Sequence, residues 1–210
     1  MIIPAHFTVA KNILLAEIPV FLALYLFVFA QKRSIIWWLM CVTFVGFLPN
    51  AAYTLTDIIH FIGAIQSEAH SWVYLTFFLF PIYLLFIFIN FQFYVVSIML
   101  AQHYIQQEAN NRLAKWFIPI IHFACAVGVY LGRIQRLESR AIMEKPITVL
   151  RDVAADFTHF PSVLLILFFF ILFYGLYLLF AILNRYLWHR YCSPYWQAIE
   201  AVKLKKSASP

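Results

Sequence analysis

Charge is scarce in this sequence. Asp, Glu, Lys and Arg make up 11% of its 210 residues, where a water-soluble globular domain carries about 25%. A chain so poor in charge has no surface to offer to water, which excludes a soluble fold. Glycine and cysteine are scarce too, with five and three residues. Cys41, Cys125 and Cys192 form no spaced set, and the first two fall inside apolar runs, which excludes a disulfide framework and a cysteine metal site. Long polar intervals are also missing. No gap between apolar runs is longer than the one from Arg133 to Pro161, which excludes a soluble enzyme carried on a single anchor.

What is present is apolar: 64% hydrophobic residues and 20% aromatic ones. Five stretches carry at most one charge, at 12–30, 35–49, 72–100, 116–132 and 162–183. A helix needs about 20 apolar residues to cross the hydrocarbon core. The pattern predicts an all-α, polytopic transmembrane helix bundle of about five spans, forming one integral membrane domain over 1–210 with a basic tail over 184–210. The second stretch is short, but Pro49 is expected to kink it and let it run on to residue 62. The third is long for a bilayer and must tilt or project.

The net charge of +6 does not mark a nucleic-acid module, because the cations sit in short clusters beside the spans. Lys32 and Arg33 follow the first stretch, Arg112 and Lys115 the third, and Arg185, Arg190, Lys203, Lys205 and Lys206 lie in the tail, whereas 50–71 has no Lys or Arg. The positive-inside rule then predicts an N terminus outside and a cytoplasmic C terminus, in a bacterial inner membrane. The connection from Arg133 to Phe160 runs against the rule, since parity puts its Arg133, Arg136, Arg140, Lys145 and Arg151 outside. Cations held in a site need not act as topology signals, so this violation is itself a functional hint. Trp37, Trp38, Trp72, Tyr74, Trp116, Trp188 and Trp196 are expected as interfacial belt residues.

Polar residues collect in two places. Asn50, Tyr53, Asp57 and His60 are spaced three, four and three apart, which is one face of a helix. An imidazole one turn from a carboxylate suits general base work, metal ligation or headgroup binding; an amphipathic helix with a solvated face explains the same spacing. After the fourth span, Arg133, Arg136 and Arg140 point one way if the helix continues, and three guanidiniums suit a phosphate or a carboxylate, or else snorkel to lipid phosphates. Parity places both groups on the same membrane face. Between spans four and five, Ile147, Leu150, Val153, Ala154 and Phe157 recur at helical spacing and predict an amphipathic helix in the interface. That segment ends in Asp156 and His159, so Asp57, His60, Asp156 and His159 are the candidate ligands if a divalent metal binds; no other cofactor is expected. Glu17 is the intramembrane acid. Asn90, Gln92 and His122 are expected to make hydrogen bonds between helices, and His103 to be solvated.

These motifs resemble an uncharacterised family of bacterial multi-spanning proteins, the domain of unknown function numbered 1361. Its pattern of N-x-x-L-A-x-I-P is matched by Asn12, Leu15, Ala16, Ile18 and Pro19. Its L-P-N-A-P-Y-x-x-T-D-x-x-H is matched by Leu48, Pro49, Asn50, Ala51, Tyr53, Thr56, Asp57 and His60, and its G-R-F-x-R-W-N-S-W-D by Gly132, Arg133, Arg136 and Ser139, with Pro146 beyond. Two acids of the pattern are missing: Trp72-Val-Tyr74 stands for W-Y-D, and Leu137-Glu-Ser-Arg-Ala141 for W-N-S-W-D. The resemblance implies a membrane protein with a polar site on one face and supplies no reaction.

Three functions fit these charges. The favoured one is a structural or assembly role, with an ion-paired network locking spans two and four. The alternative is binding or processing of an anionic amphiphile, such as a phospholipid or polyprenyl-phosphate headgroup, held by the arginines with Asp57 and His60 positioning it. Small-solute transport ranks third, because no inverted repeat is visible. Membrane lipids are the expected partners, together with a second copy or another membrane protein; nucleic acid is not.

Overall fold

The computed structural model describes residues 5–30, 32–57, 73, 75–108, 111–133 and 159–192. Among these residues there is no strand, and five α-helices carry the fold. They are α1 (Ala5–Leu24), α2 (Ile35–Tyr53), α3 (Phe80–Glu108), α4 (Asn111–Arg133) and α5 (Phe160–Leu187). Short π-helical turns extend three of them, over Tyr25–Phe29, Leu75–Leu79 and Trp188–Cys192. Among the described residues four helical segments are long and apolar enough to cross a membrane: Ile35–Thr56, Thr76–Glu108, Ala114–Gly132 and Phe160–Arg190. The apolar part of the first helix, Leu14–Phe29, is shorter, about 24 Å at 1.5 Å per residue.

The helices overrun their apolar stretches. The interval 101–115, between the third and fourth apolar stretches, is helical over Ala101–Glu108 and again from Asn111. Ala101, Gln102, Gln106, Gln107 and Glu108 are good helix formers; hydropathy registers where lipid ends, and the helix goes on beyond it. The expected interfacial helix at 147–158 lies outside the described residues.

The described residues fall into two compact units, divided between Tyr174 and Gly175. In the second unit the apolar helix runs to Leu187, and Arg185, His189 and Arg190 are exposed. In the first unit α1 packs on α2 and α3, α2 on α3 and α4, and α3 on α4. Helices in a bilayer gain little from leaving lipid, so their contacts depend on close packing and small residues. Ala16, Ala23, Ala51, Ala52, Ala101, Ala114 and Ala126 are accordingly buried.

Contacts at the helix ends set the directions. Arg33, just before α2, touches Tyr104 and Glu108 at the close of α3, and the turn that ends α2 also packs on α3, so α2 and α3 are antiparallel. Because two residues join α3 to α4 and the two helices pack together, α4 runs the same way as α2. Side chains on α4 then meet α5 in reverse order, Tyr130 with Ser162, Phe123 with Phe170 and His122 with Tyr174. One end of this unit therefore holds the close of α2, the close of α4 and the start of α5. The other holds Arg33, the close of α3 and the start of α4.

Candidate functional site

At the first of these ends, α2 and α4 meet with no space between them. A Cβ built on Gly128 would lie 2.7 Å from Cγ and 2.9 Å from Cβ of Pro49, closer than side-chain carbons approach in proteins. Gly128 is therefore the notch into which the Pro49 ring fits. Pro49 ends no helix here: α2 runs through it to Tyr53, where the backbone tightens into a 3-10 turn over Thr54–Asp57. Both threonines of that turn are buried and satisfy their hydroxyls locally. Thr54 Oγ1 donates to the Ala51 carbonyl at 2.8 Å, and Thr56 Oγ1 to the Tyr53 carbonyl at 2.6 Å.

The turn changes the expected helical face. Asn50 and Tyr53 lie on α-helix and are half-buried. A 3-10 turn advances about 120° per residue rather than 100°, so the position of Asp57 is rotated by about 80° from the α-helical register shared by Asn50 and Tyr53. Arg133 is the last residue of α4, five positions beyond the Gly128 notch, so the backbones of Asp57 and Arg133 belong to the same end of the unit. The side chains of Asp57 and Arg133, and the whole of His60, Arg136, Arg140 and Asp156, lie outside the described residues. His159 is exposed and accepts the first turn of α5: the amides of Ser162 and Val163 each donate to its carbonyl at 3.1 Å. Glu17 is half-buried on α1, about 15 Å along the helix from Phe27. Among the described residues no group of three or more His, Cys, Asp or Glu side chains is placed to hold a metal ion.

Several letters of the family motifs are packing residues. Ala16, Pro19, Leu48 and Ala51 are completely buried. Tyr130, two residues before Gly132, is buried and donates its hydroxyl to Ser162 Oγ at 2.9 Å, tying the close of α4 to the start of α5.

The opposite end holds a cluster that the sequence reading missed. Arg33 Nε donates to the Tyr104 hydroxyl at 2.8 Å, and the guanidinium forms an ion pair with Glu108 while lying 5.5 Å from the Tyr104 ring centre. The Tyr104 hydrogen bond first, and Glu108 after it, push the Arg33 pKa further up. Tyr104 also packs on Phe27 and Trp37. Trp37, expected as a belt residue, is buried, and its indole N–H donates to the Leu26 carbonyl at 3.1 Å. The last carbonyls of a helix lack partners within it, and this indole satisfies one of them. Trp38 is exposed, as a belt residue should be. The aromatic pairs were legible only as composition, because the residues that meet are far apart in the chain.

Between the two ends, buried polar side chains turn back on their own helices. Asn90 Nδ2 donates to the Phe86 carbonyl, Ser97 Oγ to that of Phe93, and His122 Nδ1 to that of Ile118, at 2.8, 2.7 and 2.7 Å. Asn90, expected from sequence to bond between helices, bonds within its own helix instead. His122 reaches other helices through its ring, which stands edge-on to Tyr94 of α3 and Tyr174 of α5. His103 is exposed, beside Gln107.

Described residues that are almost wholly helical, with four apolar helices of spanning length among them packed through small residues, make this a membrane-embedded helix bundle. The chain belongs to the family described as protein of unknown function DUF1361, whose model matches residues 11–201. Comparison with curated proteins and with solved structures gives no match.

Proposed function

We propose that this protein is a multi-pass protein of the bacterial inner membrane, with its N terminus outside and its C terminus cytoplasmic, serving a structural or assembly role. In this reading Asn50, Tyr53, Asp57, His60, Arg133, Arg136 and Arg140 form an ion-paired lock between the closing ends of α2 and α4. The observation that supports it is the Pro49–Gly128 fit, which holds α2 and α4 in direct contact a few residues before those ends. Opposite charges beside hydrocarbon seek each other, because an unpaired one is costly.

A double-mutant cycle on thermal unfolding tests the lock. Asp57→Asn and Arg133→Ala should each destabilise, by about 3–5 kcal/mol if the pair is buried. The double variant should cost much less than the sum, since either change already breaks the pair. Additive, mild effects, together with an anionic lipid that native mass spectrometry finds on the wild type and not on Arg136→Ala, would replace the lock with the anionic-amphiphile site.

A further inference from the structure

We propose that the Arg33 end of the first unit is a docking surface for anionic phospholipid, with Lys32 and Lys115 as its phosphate-contacting cations and Trp38 and Trp116 as its anchors. Lys32 precedes α2, Trp38 lies in the first turn of α2, and Lys115 and Trp116 lie near the start of α4. All four belong to one end, because Arg33 touches Glu108 at the close of α3 and α4 begins directly after it. All four side chains are exposed, the indoles at 60% and 63%.

The chemistry follows from position. An indole exposed at the edge of an apolar span sits at headgroup level, and a lysine beside it extends its ammonium to the phosphates. Arg33 stands apart, because Tyr104 and Glu108 engage its guanidinium and Glu108 offsets its charge. Setting that pair aside leaves Lys32 and Lys115, both exposed, and a surplus of positive charge. A zwitterionic headgroup brings its own cation and gains little from this surface, whereas a headgroup of net negative charge complements it. Each basic residue near an anionic leaflet contributes about fivefold in affinity, the equivalent of about 1 kcal/mol.

The test is native mass spectrometry of the full chain released from nanodiscs of equal phosphatidylglycerol and phosphatidylcholine content. The wild type should retain phosphatidylglycerol preferentially, and K32Q/K115Q should lower that preference by about 25-fold at two cations removed. R33Q should lower thermal stability and leave the lipid preference unchanged. Equal retention of the two lipids by the wild type, an undiminished preference in K32Q/K115Q, or a loss as large in R33Q would overturn the proposal. Should the double variant aggregate, high salt applied to the wild type in nanodiscs serves instead, because screening should erase the preference, and persistence would overturn it. The proposal is independent of the lock: D57N should leave the preference intact, and a loss there would move the lipid to the opposite end.

Discussion

Pro49 of α2 and Gly128 of α4 fit ring into notch, with no space for even one more carbon at position 128. We expect Gly128→Ala to destabilise the protein by about 1–3 kcal/mol, the usual cost of forcing a methyl into a packed contact. Gly46→Ala and Gly132→Ala, where an added Cβ meets nothing within 4 Å, should be neutral or mildly stabilising, since alanine favours helix. Thermal unfolding of the three variants in one detergent checks the contrast, and equal losses at all three positions would contradict the close fit.

Trp37 and Trp38 should separate cleanly. Trp37→Phe removes the donor to the Leu26 carbonyl and leaves a buried acceptor without its partner, at a cost of about 1–3 kcal/mol. Trp38→Phe, on an exposed side chain, should change stability by under about 0.5 kcal/mol. Denaturation midpoints of the two variants measure this, and reversal of their order would place Trp37 at the interface after all.

Tyr130→Phe and Ser162→Ala each break the hydroxyl bond between α4 and α5, and each should cost about 0.5–1.5 kcal/mol. The double variant should cost no more than the larger single one, because the two groups serve a single bond. Strict additivity would mean that the hydroxyls act separately.

Orientation is open to labelling of intact cells. A cysteine placed near Gln66 should react with an impermeant reagent and one placed near Ser207 should not, given the absence of Lys and Arg from 50–71 and the three lysines near the end of the chain. The reverse pattern would invert the protein in the bilayer without moving Asp57 and Arg133 to different ends.

Membrane class and the apolar helices are legible in composition and in run length, since a bilayer imposes a length on every helix that crosses it. Their ends are less so. Ala101–Glu108 continues α3 because helix propensity outlasts hydropathy, and the tightening after Tyr53 follows from local hydroxyl bonds at Thr54 and Thr56 that period counting over Asn50, Tyr53 and Asp57 does not register. Trp37 reads as a belt residue from its place in the chain and is buried because the Leu26 carbonyl needs a donor. The choice of Gly128 as the notch is invisible in sequence, where Gly46, Gly132 and Gly175 look the same, because it depends on which helix passes nearby.

The Pro49 fit also has a place in time. Chains emerge from the ribosome at about 5–20 residues per second, and Gly128 is made only after all of α3, so Pro49 waits for seconds without its mate. During that interval α2 has α1 as its earlier-made neighbour, and the missing amide of Pro49 leaves the Val45 carbonyl without its usual i+4 donor. The membrane that receives this chain must therefore hold an unfinished assembly of α1, α2 and the newly made α3, and the arrival of α4 is the step that closes the Pro49 contact.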